Sequence, residues 1–201
     1  MHFHPFLMKA NIENKKYKVL LETGKKLFWK HGFRRVTVDE ICREAGVSKM
    51  TFYKWFDNKT EFAKTIFSNE VQRAIIEFRK IMEQEMPPAE RLKTIITMKM
   101  EGTNDISREF LMDFYSSDDT SLKSFVNDIT SNSWNEIISS FRMAQEKSWF
   151  RKDFKPEFIL YITKQLIPMF TDENLLKLYD TPQDLIMEFT NFFTYGISPH
   201  D

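Results

Sequence analysis

The run TVDEICREAGVSKMTFYKWF at residues 37–56 constrains this chain more than any other stretch. Thr37 and Glu40 stand at the two ends of a capping box, in which hydroxyl and carboxylate satisfy the free amides of a helix start. A helix beginning there buries Val38, Ile41, Cys42 and Ala45 on one face. Gly46 supplies the positive-φ turn that ends it, and Val47 packs inward. Ser48 caps a second short helix whose inward residues, Phe52 and Phe56, stand one turn apart. The outer face of that second helix is polar and basic. Two short helices joined by a tight glycine turn put a rigid rod where it can enter the major groove of DNA.

Helical spacing continues on both sides, and strand alternation is nearly absent. Upstream, a helix over about 14–31 carries the stripe Tyr17, Leu20, Gly24, Leu27 and Phe28. Gly24 within that stripe lets a neighbouring helix approach closely, and Gly32 ends the helix so that Phe33 tucks back. Residues 1–13 read as a loose arm. Downstream, Asn58 and Glu61 form a second capping box, opening a helix that runs to about Gln84 through Phe62, Ile66, Phe67, Val71, Ile75 and Phe78. Breaker clusters then separate helices over about 89–101, 106–115 and 122–148. Pro156 opens another, which Pro168 kinks or ends, and Thr181 with Pro182 starts a last one reaching Gly196. The expectation is an all-α fold of about nine helices. An N-terminal three-helix helix-turn-helix domain occupies 1–60, arm included, and a C-terminal helical domain occupies 61–201.

Formal net charge is zero, with 29 Lys+Arg against 29 Asp+Glu, yet the charge is unevenly placed. Residues 1–65 hold 14 Lys+Arg and 7 Asp+Glu, and the remainder holds 15 and 22. A basic first third beside an acidic remainder suits a chain with one part facing a polyanion. Cys42 is the only cysteine, which rules out an intrachain disulfide and favours a reducing compartment. It reads as a small buried hydrophobe. The apolar run near Phe158 is broken by Lys164, Gln165 and Pro168, so no membrane span is expected, and the N-terminus has no signal-peptide pattern. A soluble cytoplasmic protein, at the nucleoid, follows. His2, His4, His31 and His200 are scattered, with no Cys/His metal spacing, nucleophile elbow or phosphate loop. Neither an enzyme, nor a cofactor, nor a metal site is expected.

These residues make the chain resemble the tetracycline-repressor (TetR) family of bacterial transcriptional regulators. The resemblance rests on Phe28, Gly32 and Phe33; on Thr37, Ile41, Ala45, Gly46, Val47 and Ser48; on Thr51, Phe52, Tyr53 and Phe56; and on Asn58, Lys59 and Phe62. It covers about a quarter of the chain. The resemblance implies that Ser48, Lys49, Met50, Thr51, Tyr53 and Lys54 face the groove. Their chemistry agrees: Lys49 donates to guanine or phosphate, the Thr51 methyl meets a thymine methyl, and the Tyr53 hydroxyl reaches a phosphate oxygen. Lys59, in the first turn of the fourth helix, and Thr37, at the start of the second, are placed for phosphate. Arg34 and Arg35 in the preceding turn add further phosphate contacts. Met50 stands where the family more often has Gly or Pro. Capping alone also accounts for Thr37, packing for Tyr53, and solvation for Lys54 and Lys59. Phe52 and Trp55 read as core.

A single helix in one groove binds modestly, so a homodimer reading two half-sites of a palindromic operator is expected. Its interface is sought on the two helices near 156–167 and 182–196, through Phe158, Tyr161, Ile162 and Leu166 and through Leu185, Phe189 and Phe193. By analogy with the family, Met98, Phe110, Phe114, Trp134 and Phe141 line an apolar pocket for a small-molecule ligand, although helical spacing equally explains them as core. The function implied is a homodimeric DNA-binding regulator, a repressor released by a small apolar ligand. The alternative is a helical protein-interaction or ligand-carrier module that keeps the scaffold without regulating genes.

Overall fold

The computed structural model describes residues 15–115 and 120–199. The expected arm at 1–13, the breaker residues 116–119 and His200 lie outside them. All regular structure among the described residues is helical. In chain order the helices are α1 Lys15–His31, α2 Val38–Ala45, α3 Lys49–Tyr53, α4 Lys59–Glu83, α5 Pro88–Gly102, α6 Arg108–Tyr115 and α7 Thr120–Glu146. There follow α8 Pro156–Leu166, a 3-10 turn Ile167–Thr171, α9 Glu173–Leu176 and α10 Pro182–Gly196.

Local chemistry sets these boundaries. Thr37 Oγ1 accepts from the Glu40 amide at 3.1 Å, Ser48 Oγ from Thr51 at 3.1 Å, and Asn58 Oδ1 from Glu61 at 2.9 Å. Gly46 ends α2 at φ 65°, in the left-handed region expected of it. The fully reciprocal capping box occurs at Thr181 and Asp184. Pro168 does end α8, because it has no amide to donate and its ring crowds the preceding turn, and the chain tightens into a 3-10 turn. The structure adds a tenth helix, the single-turn α9. Asp172 caps it, accepting from Asn174 at 2.8 Å and Leu175 at 3.1 Å. A one-turn helix is too short to show a hydrophobic period, so the sequence pattern gave no sign of it.

The long helix α4 organises the molecule. It packs against α1 on one side and against α5 and α7 on the other. Its inner face, Phe62, Ala63, Ile66 and Phe67, belongs to the larger of two core clusters, which also takes in Leu20 and Phe28 of α1, Ile41 of α2 and Phe52 of α3. The same cluster runs on into Phe110, Leu111 and Phe114 of α6, Leu122 of α7, and Leu185 of α10. Position 60 therefore lies in the first turn of α4, with one apolar core continuous on either side of it. A second cluster gathers Met82, Leu92, Phe141, Ala144, Phe150 and Ile159 at the far end. Cys42 is buried, as its place on the apolar face of α2 requires.

Candidate nucleic-acid interface

Helix α3 has two faces of opposite character. Phe52 is fully buried and Phe56, just beyond the helix, is 5% exposed. These rings pack around Phe62 with centroids 5.1 Å and 4.8 Å from it. Trp55 is half-buried, edge-on to Tyr17 at 5.4 Å, in agreement with a packing role. On the opposite face Met50 is 85% exposed and Tyr53 52%, flanked by exposed Ser48, Lys49 and Lys54. Met50 and Tyr53, three positions apart, share this outward face.

Thr51 is half-buried, and its amide and hydroxyl are both engaged by Ser48, with the two hydroxyl oxygens 2.9 Å apart. Ser48 and Thr51 thus fix the start of α3, and the side chains free to reach outward are Lys49, Met50, Tyr53 and Lys54. Lys49 Nζ lies 2.5 Å from Asp39 Oδ1 of α2. The Asp39 hydrogen bond and charge raise the Lys49 pKa and keep the ammonium protonated. Both partners are solvent-exposed, so the pair is screened and exchanges readily for a phosphate.

The turn between α1 and α2 supplies Arg34, Arg35 and Thr37, all exposed. Arg34 is held from behind: Asp113 of α6 accepts from its amide at 2.7 Å and sits 3.3 Å from its Nε. Lys59 requires a correction. Its ammonium points inward, donating to the carbonyls of Phe33 at 2.8 Å, Arg34 at 3.3 Å and Val36 at 2.9 Å, and it lies 4.3 Å from the centre of the Phe33 ring. Burial lowers its pKa, and the Asp113 charge partly offsets this. These carbonyls have no helical partner, which is why a cation from 23–26 residues away is recruited to them. Lys59 staples the turn; its side chain is not presented to DNA.

Thr37 has a cap role that can be measured apart from any contact. Thr37→Ala is expected to destabilise the fold by about 1 kcal/mol, lowering the thermal midpoint by about 2–4 °C, whereas Thr37→Ser leaves it unchanged. Circular dichroism melts of the two variants check this.

The five residues expected around a ligand pocket divide between the two clusters. Phe110 and Phe114 sit in the larger core, 4.5 Å apart, while Trp134 and Phe141 belong to the smaller one, and Met98 is half-buried on α5. An open groove of about 720 Å³ lies elsewhere, between α1, the turn after α3 and the outer face of α4, and none of the five lines it. The expected dimer residues also divide. Phe158 and Tyr161 are 59% and 71% exposed, and Ile162, Leu166 and Phe193 are half-buried. Leu185 is 1% exposed in the larger core, and Phe189 packs edge-on to Phe170 at 5.6 Å, so these two serve the chain's own interior. The unpartnered side of α10 instead carries Phe192 and Tyr195, 74% and 67% exposed. The period placed the apolar stripe of α10 correctly; because nearly every face of this helix is apolar, it gave no sign of which face the chain covers itself.

The fold and this face define a helix-turn-helix protein. Residues 20–66 match the family model of the bacterial regulatory proteins of the tetR family. Over 94 residues, 46% of this chain and 32% of the relative, the chain is 31% identical to the uncharacterized HTH-type transcriptional regulator YerO of Bacillus subtilis. The match thus spans about a third of that relative's length. The fatty acid degradation regulator FadR of Bacillus halodurans superposes with a TM-score of 0.68 at 17% identity, covering 94% of this chain and 99% of that one. FadR of Bacillus subtilis, whose structure is a complex with stearoyl-CoA, gives 0.64 at 12% identity over 89% and 97%. Residues 20–66 thus resemble the DNA-binding segment of the tetR family in sequence, and the described chain shares the fold of these solved regulators.

Proposed function

We propose that the chain is a homodimeric, sequence-specific DNA-binding transcriptional regulator, a repressor that a small apolar ligand releases from a palindromic operator. The observation that carries this reading is the outward face of α3, where Lys49, Met50, Tyr53 and Lys54 stand exposed, with Arg34 and Arg35 exposed in the turn before α2. Residues 1–60 read the DNA in this account, and residues 61–201 supply dimerisation and the ligand response. Side chains of this mix contact base edges and phosphates together, and the cationic turn alongside gives the salt-dependent share of the affinity.

Dimerisation is supported by Phe158 and Tyr161 on α8 and by Phe192 and Tyr195 on α10, four large aromatic side chains left in solvent. Replacing Phe192 and Tyr195 together by Glu is expected to convert the sedimenting species from the mass of two chains to that of one at micromolar concentration. Retention of the dimer would move the interface elsewhere. No helix among the described residues is long and apolar enough to cross a membrane, which agrees with action in the cytoplasm. Stearoyl-CoA is bound by the FadR of Bacillus subtilis, so long-chain acyl thioesters are the first effectors to test by thermal shift.

Fluorescence anisotropy against fragments of the protein's own promoter region tests the reading. Saturable binding that prefers one fragment and weakens steeply with salt is expected. Equal binding to every fragment sinks it.

A further inference from the structure

Resting on the DNA-binding reading above, we propose that Asp113 is a positioning residue for DNA contact. Through it helix α6 competes with the phosphate backbone for the Arg34 guanidinium. One carboxylate oxygen accepts from the Arg34 amide at 2.7 Å, and the other lies 3.3 Å from Arg34 Nε. The Asp113 side chain is 12% exposed and that of Arg34 55% exposed. The guanidinium therefore borders a sheltered anion while more than half of the Arg34 side chain stays exposed. A phosphate arriving from the solvent side meets a cation already shared.

The contact is tight enough to transmit the position of α6. A Cβ built on Gly32, whose φ is +79°, meets Asp113 Oδ2 at 2.6 Å and Glu109 Cβ at 2.9 Å. Only glycine lets α6 lie this close to the turn. Helix α6 is tied to α1 as well, by the Ser107 amide donating to the Trp29 carbonyl at 2.9 Å and by the Trp29 and Phe110 rings 4.3 Å apart. The Lys59 ammonium, close enough to feel the Asp113 charge, holds three carbonyls of the same turn. The turn bearing Arg34 is thus gripped by an anion from α6 at its amide and by a cation from α4 at its carbonyls. Any shift of α6 relative to α4 changes how much of the Arg34 charge is left for DNA.

Salt-dependent binding of the full chain to a duplex of arbitrary sequence tests this without an operator, since phosphate contact is independent of sequence. Four proteins are compared: the unaltered chain, Asp113→Asn, Arg34→Ala and the double variant. Asparagine keeps an acceptor for the Arg34 amide while removing the charge, and Asp113→Ser is prepared in parallel should the asparagine variant fail to fold. Asp113→Asn is expected to bind about threefold tighter at low salt. Its log–log salt dependence should be steeper by about one per protomer. Arg34→Ala should abolish the change in slope. Weaker binding with an unchanged slope makes Asp113 a purely structural residue and overturns the proposal, as does a gain that survives Arg34→Ala in full. No salt-dependent binding by the unaltered chain overturns the DNA-binding reading itself.

Discussion

Arg91→Ala lowers the thermal midpoint of this protein by about 6–12 °C, the effect of losing about 3 kcal/mol in a chain of this size. Arg91 is fully buried on α5. Its guanidinium donates to the carbonyl of Ile81 in the last turn of α4, to Gln84 just past the helix at 2.6 Å, and more weakly to Met86 at 3.5 Å. These carbonyls belong to the end of the 25-residue helix, where no later amide can reach them. A cation there also meets the negative end of the helix dipole. The guanidinium carbon sits 3.6 Å from the centre of the Trp149 ring, so the same group binds the end of α7. Burial lowers its pKa from the ordinary value, yet an arginine starts so high that it stays charged at neutral pH. Alanine leaves buried oxygens unpaired and a void beneath the tryptophan. Arg91→Lys should recover only part of the loss, since a single ammonium cannot match a planar fork and stack at once. Calorimetric melts decide it, and a midpoint within about 2 °C of the unaltered protein would contradict this account.

Gly24→Ala should lower the midpoint by about 4–8 °C, although alanine is the better helix former by about 1 kcal/mol. A Cβ at position 24 would lie 2.4 Å from two carbons of the Phe62 ring and 2.9 Å from the Ile66 methyl. Phe62 is fully buried among Phe28, Phe52 and Phe56, so its ring has nowhere to turn. The helices must part, and overpacking against a ring this confined costs about 3 kcal/mol, which leaves about 2 kcal/mol of net loss once the helix gain is subtracted. Gly24→Ala combined with Phe62→Leu should recover stability relative to Phe62→Leu alone, because the smaller side chain vacates the contact. Equal melting of Gly24→Ala and the unaltered protein would mean that α1 and α4 stand further apart than described.

Much of the fold was legible because several local signals coincided. Thr37, Ser48 and Asn58 announced three helix starts, and Gly46 and Gly32 two ends, all within one short segment. Gly24 stood out as a glycine in an apolar stripe, and the Phe62 ring against it is the reason. What was not legible depended on residues far apart in sequence. Lys59 looks like any lysine in a first helical turn until the orphan carbonyls of residues 33, 34 and 36 are seen beside it. Asp113 carries a faint signal, an acid between Met112 and Phe114 in the apolar run FLMDFY, and its meaning appears only with Arg34 in place. On α10 the apolar residues surround the helix, so only tertiary packing separates Leu185 and Phe189 from exposed Phe192 and Tyr195.

The central claim is that the exposed face of α3 reads base sequence. Its most direct measurement is the affinity of Lys49→Ala/Tyr53→Ala, beside the unaltered chain, for the preferred promoter fragment and for a scrambled duplex of equal length. Both replaced side chains point away from the core, so the double variant should melt as the parent does. Loss of about 10-fold to 100-fold on the promoter fragment, with little change on the scrambled one, is the predicted result. An undiminished preference for the promoter fragment would show that the sequence is read elsewhere on the molecule.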